Sequence, residues 1–139
     1  MAAKRCPCLS LLREVRGHMA QLREAHLRYL LAIYELGRNN PDVGTQAVSR
    51  VLNCSKASVT KMISNLMDMN LLVRERYGKI YLTDTGFLTA KDLLKCVEVI
   101  HARLPAMGFD LTEEEARDLV RTMVVNLPEY CRKRLAGRA

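Results

Sequence analysis

The chain has 139 residues, 49% of them hydrophobic and 27% charged, with a formal net charge of +7 and a pI near 9.4. That hydrophobic share excludes a disordered polar tail, and the basic balance favours a polyanionic partner: DNA, RNA or an anionic membrane surface. Trp is absent and only two Phe occur, so stacking of unpaired bases on aromatic rings has little to work with.

At the N-terminus, MAAKRCPCLSLLREV carries basic residues but no apolar core segment before Arg13 and Glu14. No export signal is expected there, no run along the chain is long enough to span a bilayer, and a cytoplasmic protein without a membrane partner is the expectation. Five scattered cysteines, Cys6, Cys8, Cys54, Cys96 and Cys131, then read as reduced thiols rather than a disulfide framework. The Cys6-Pro7-Cys8 pair lacks a second ligand pair at zinc spacing.

From Ser10 to about Leu36, apolar residues recur at three-to-four spacing, with Gly17 as a point where one helix becomes two. The interleaving of Arg with Glu14 and Glu24 favours packing on a core or a partner over a membrane surface. His18 and His26 have no Cys or carboxylate at i+4 and read as ordinary histidines. Gly37-Arg38-Asn39-Asn40-Pro41 is expected to be a helix-stopping loop. Thr45 to Leu52 follows as a short helix with Ala47, Val48, Val51 and Leu52 apolar. Ser49 takes a tight inter-helix position, and Asn53 takes a turn position that tolerates the left-handed conformation.

Ser55 is an N-cap for the next helix. Val59, Met62, Ile63, Leu66 and Met69 form its buried face. Ala57, Thr60, Lys61 and Ser64 occupy the opposite face, flanked by Lys56 and Ser58. A buried back and a front of small donors and cations suits entry into the major groove. Leu72 to Arg76 and Lys79 to Thr83, around Tyr77-Gly78, read as a hairpin wing. Between Ser55 and Lys79, the five cations Lys56, Lys61, Arg74, Arg76 and Lys79 face the two acids Asp68 and Glu75, a local balance of +3. Such cations supply phosphate contacts.

Thr83 or Asp84 caps a helix whose apolar stripe is Leu88, Leu93, Leu94, Val97, Ile100 and Leu104. Thr112 with Glu115 forms a capping box for a further helix, and Pro128 starts a last one with a basic end. So apolar a C-terminal half suggests a homodimer interface. The fold class is mostly α with a small β-wing. Residues 1–24 are a partly helical extension, 25–84 a winged helix-turn-helix domain, and 85–139 a helical dimerisation domain. No nucleophile–base pair or phosphate-cradling loop suggests an enzyme.

YLLAIYEL (29–36), SKASVTKMISNL (55–66) and LLVRERYGKIYLTDTG (71–86) resemble the diphtheria toxin repressor and manganese transport regulator family, in its short two-domain form. The resemblance runs from about Leu27 to Arg134. It implies homodimeric, metal-activated repressors of metal-uptake genes, with DNA-facing positions at Ser55, Lys56, Ala57, Ser58, Thr60 and Lys61. The family's metal-ligand positions fall on Arg28, Leu31, Val97, His101, Arg117, Arg121, Val124 and Val125. Val and Leu cannot coordinate a metal and Arg repels one. No cofactor is therefore expected, whereas Mn or Fe would follow from a different ligand alignment.

Arg28 and Arg121 raise the further expectation that a fixed guanidinium stands where the metal would, reaching Glu98, Glu115 or a backbone carbonyl. The function expected is a double-stranded DNA-binding transcription regulator of repressor type. The alternatives are a regulator switched by a thiol (Cys54, or Cys96 with Cys131) or a small molecule, and a winged-helix protein-interaction module.

Overall fold

The computed structural model describes residues 22–76 and 78–137. The expectations for Gly17, His18 and Cys6-Pro7-Cys8 lie outside these residues. In chain order the elements are α1 (Glu24–Asn39), α2 (Thr45–Leu52), α3 (Lys56–Asp68), β1 (Leu72–Arg74), β2 (Ile80–Leu82), α4 (Asp84–Arg103), α5 (Glu113–Asn126) and α6 (Glu129–Ala136), with a 3-10 turn at Pro105–Met107. Among the described residues no helix is long and apolar enough to cross a membrane.

The central helix α1 has apolar residues on two sides and serves two hydrophobic clusters. Tyr29, Leu30 and Ile33 join Val48, Val59, Ile63, Leu66 and Ile80 under the helix-turn-helix and wing. Leu27 and Leu31 join Leu93, Cys96, Leu104, Val120 and Val124 among α4 and α5. The start of α1 is fixed locally, since the Arg23 amide donates to His26 Nδ1 at 3.0 Å. Its end corrects one expectation: Gly37, Arg38 and Asn39 are helical, and the chain leaves the helix at Asn40 in an extended conformation. The controlling residue is Pro41, which disfavours helix at the position before it. A glycine inside a helix costs less than the packing of Leu30 and Ile33 returns.

The caps behave as their chemistry requires. Ser55 Oγ accepts from the Ser58 amide, and Thr83 Oγ1 accepts from the Gly86 amide. Thr112 and Glu115 complete a reciprocal box. Asn53 holds φ 51° at the turn between α2 and α3, where the Ser49 hydroxyl donates to the Cys54 carbonyl. β1 and β2 are antiparallel, with Leu72 opposite Leu82 and Arg74 opposite Ile80. The strands are shorter than the sequence suggested, because Glu75 to Lys79 close the hairpin turn instead. A third strand position was not foreseen: Gly44 bridges Lys79, and the Ile80 amide donates to the Val43 carbonyl.

Two apolar positions lie outside the core to which the helical period assigned them. Val51 is 55% exposed and Leu88 60% exposed. The rest of the α4 stripe is buried or half-buried.

Candidate nucleic-acid interface

The helix α3 is two-sided. Val59, Ile63 and Leu66 are fully buried, while Ser55, Lys56, Ala57, Ser58, Thr60, Lys61 and Ser64 are all exposed. The burial of the back anchors the helix, so the front can present its donors without loss of packing. Ser58 is partly spent locally, because the Ser55 hydroxyl donates to its Oγ at 2.9 Å. None of the ion pairs among the described residues uses Lys56, Lys61, Arg74 or Arg76. These four cations are exposed.

Lys79 differs from them. Its ammonium lies 2.5 Å from Asp42 Oδ1, and that hydrogen bond holds its pKa above the ordinary lysine value. The pair ties the wing to the loop between α1 and α2. Asp42 is the missed residue here, and the sequence offered no signal beyond an acid beside the loop proline. On the outer face of the wing, Val73 (50% exposed) stands opposite Tyr81 (40% exposed).

The positions that the resemblance marks for metal ligands fall along two clefts. Arg28, Leu31, Arg121 and Val125 line a cavity of about 360 Å³ between α1, α2 and α5, together with Glu35 and Asp118. Val97, His101, Arg117 and Arg121 line a second, of about 390 Å³, with Glu35, Glu98 and Glu113. Val124 is buried in the core. The carboxylates of the first cleft are both engaged by one guanidinium: Arg121 Nη2 is 2.9 Å from Glu35 Oε2, and its Nη1 is 3.8 Å from Asp118 Oδ1. In the second cleft, Glu113 Oε1 is shared by His101 Nε2 at 3.4 Å and Arg117 Nε at 3.1 Å. No group of three or more His, Cys, Asp or Glu side chains comes together among the described residues. A divalent cation needs several unclaimed oxygen, nitrogen or sulfur donors, so this donor set does not fit one.

The guanidinium expectation is half corrected. Arg28 pairs with Glu24 one turn earlier on its own helix, and among the described residues it makes no ion pair to another element. Arg121 does cross to α1, but its partner is Glu35, not Glu98, Glu115 or a backbone carbonyl. Glu35 follows Leu31 by four residues on the same helix face, a placement that gains meaning only from α5 lying beside it.

Of the thiols among the described residues, Cys96 is the one whose surroundings disfavour reactivity. Cys54, Cys96 and Cys131 are free. Cys96 is fully buried, donates to the Arg132 carbonyl, and has its pKa pushed up chiefly by burial, which disfavours the nucleophilic thiolate. Cys54 lies half-buried beside Tyr29, whose phenol is pushed up to about 12 by burial and then by its hydrogen bond with Cys54.

A helix-turn-helix with a buried back, closed by a two-stranded wing, defines the winged-helix class of DNA-binding fold. Residues 21–80 match the family model described as iron dependent repressor, N-terminal DNA binding domain. That stretch, somewhat under half of the chain, is similar to this domain, in agreement with the resemblance to the diphtheria toxin repressor and manganese transport regulator family.

Among solved structures, the manganese regulator SloR superposes with a TM-score of 0.66 at 19% identity, over 81% of this chain and 52% of that one. The metal-dependent transcriptional regulator MtsR gives 0.67 at 19% identity, over 81% and 52%. The hypothetical protein SSo2273 from Sulfolobus solfataricus gives 0.59 at 20% identity, over 84% and 88%. The chain thus spans about half the length of SloR and MtsR, and at these identities the likeness shows the fold. Comparison with curated protein sequences gives no match.

Proposed function

We propose that this chain is a sequence-specific double-stranded DNA-binding transcription regulator, a repressor rather than an enzyme, acting in the cytoplasm as a homodimer. The observation that carries the reading is the front of α3: seven exposed small, polar or cationic residues on a helix with a fully buried back. Beside it stand Arg74 and Arg76 on the wing. Lys56, Lys61, Arg74 and Arg76 contact phosphates, while Ala57, Thr60 and Ser64 are placed to meet base edges. Lys79, held by Asp42, stiffens the wing and contributes field rather than a free contact. In this reading residues 25–84 read DNA and residues 85–139 pair the two copies. Two recognition helices then engage two half-sites.

Regulation does not follow the family manner. Glu35, Asp118 and Glu113 are engaged by arginines, and Glu98 and His101 are too few to complete a donor set for manganese or iron. The test is a duplex-binding titration of the full chain at several salt concentrations, with chelator and then with manganese, iron or zinc. Equal affinity throughout is the expected outcome, and strong metal dependence would overturn the metal-independent part. K56A/K61A/R74A should weaken binding and flatten the salt dependence by about one unit of log–log slope for each phosphate no longer neutralised. Unchanged binding by that variant would remove α3 and the wing as the interface.

A further inference from the structure

The ion pair between Arg121 and Glu35 joins two parts of the chain that are 86 residues apart. Glu35 lies on α1, which packs under the helix-turn-helix on one side and against α4 and α5 on the other. A link at Glu35 therefore constrains how α2 and α3 sit relative to α5. It does so at the cavity where the family resemblance would place a divalent cation, and where Leu31 and Val125 supply only apolar walls. Arg121 also reaches Asp118, so one guanidinium answers two carboxylates. Its planar fork is always charged and offers directional donors. A bound metal dissociates according to its concentration; a side chain does not.

We propose that Arg121 is a built-in cation, a positioning residue that locks α5 to α1 through Glu35 and so holds the recognition helix in a fixed relation to the C-terminal helices at any metal concentration. This deepens the reading of the chain as a metal-independent regulator and rests on it for its biological consequence. The lock itself is a property of the protein without DNA.

Removing the charge leaves Glu35 and Asp118 facing the cleft without a counterion. The pair is part-exposed, with side chains 42% and 27% accessible, so the local effect is modest: about threefold in an opening equilibrium. The test is amide hydrogen exchange of the full chain, without DNA, in chelator and in excess manganese. R121Q and E35Q should each raise exchange about threefold in α5 and in the C-terminal half of α1, leaving the buried back of α3 unchanged. The charge-reversed double variant E35R/R121E should return exchange to the parent level. The parent protein should exchange identically in chelator and in manganese. R121E alone gathers three carboxylates at one cleft, and manganese should tighten it.

Parent-like exchange in R121Q, failure of the double variant to restore it, or tightening of the parent protein by manganese would each overturn the lock. Should R121Q not fold, R121K and the double variant carry the same comparison, because R121K keeps the charge and loses the fork. Loss of duplex binding in the parent protein would instead overturn the functional reading, leaving the exchange result intact.

Discussion

A β-carbon on Gly86 would stand 2.1 Å from the Leu71 carbonyl oxygen and 3.0 Å from its carbonyl carbon. That oxygen already accepts from the Thr83 amide at 3.1 Å, and Thr83 Oγ1 donates to the Asn70 carbonyl at 2.7 Å. The node joins the end of α3, the wing and the start of α4, and all of the close neighbours are backbone. Gly86→Ala should therefore destabilise the protein by about 1–3 kcal/mol, measured by urea or thermal unfolding. Gly78 makes the useful contrast. It has φ +82° but nothing within 4 Å of a built β-carbon, so Gly78→Ala meets only backbone strain, about 1 kcal/mol. A larger loss at Gly78 than at Gly86 would contradict this account. The TDTG sequence announces a capped helix start, but the need for glycine comes from Leu71, fifteen residues earlier, which no local pattern could supply.

At the scale of elements, the caps and turns were legible because they are local chemistry. Ser55, Thr83, Thr112 and Asn53 act within a few residues of themselves, and the structure uses each as the spacing suggested. The Thr112–Glu115 box also carries a pH dependence. The backbone amide of Thr112, then its hydroxyl, hydrogen-bonds the Glu115 carboxylate and lowers its pKa. A folded pKa below the unfolded value gives stability that is present above the unfolded value, near 4.5, and is lost as pH falls through the folded one. The start of α5 should therefore fray in acid, and Glu115→Ala should fray it at neutral pH and remove the acid step. Amide exchange of residues 113–117 between pH 3 and 7 measures this. By contrast, the Gly44–Lys79 bridge, the Asp42–Lys79 pair and the Arg121–Glu35 pair join residues distant in sequence, and nothing local distinguishes their partners from solvated charges. The overrun of α1 through Gly37 has the same origin, since buried neighbours outweighed a weak helix former.

Half of the large apolar side chains exposed among the described residues stand on α4 and the segment after it, and the rest are spread over α2, α3, the wing and α6. Leu88 is 60% exposed, Met107 60% and Phe109 48%, while Phe87, at 45%, packs at a tilt of 53° against Tyr34 with ring centroids 5.4 Å apart. The homodimer proposed above would draw its apolar contact from this surface. Leu88→Glu with Phe109→Glu should shift the protein to monomer in sedimentation equilibrium and weaken duplex binding, while helix content by circular dichroism stays unchanged. A parent protein that is already monomeric at micromolar concentration would remove the pairing.

The sharing of α1 between two clusters has a consequence for how such a chain is inherited. Leu27 and Leu31 are buried against α4 and α5, apart from the cluster under the helix-turn-helix and wing. Cut free after the wing, the first half would turn both leucines to water, a cost of about 3–6 kcal/mol that a unit of some sixty residues can ill absorb. The winged-helix part is therefore not a cassette that recombination can lift out and fuse elsewhere. It travels with its C-terminal helices or needs a substitute surface for that side of α1, and drift in one half is felt by the other through α1 and through the Gly86–Leu71 contact.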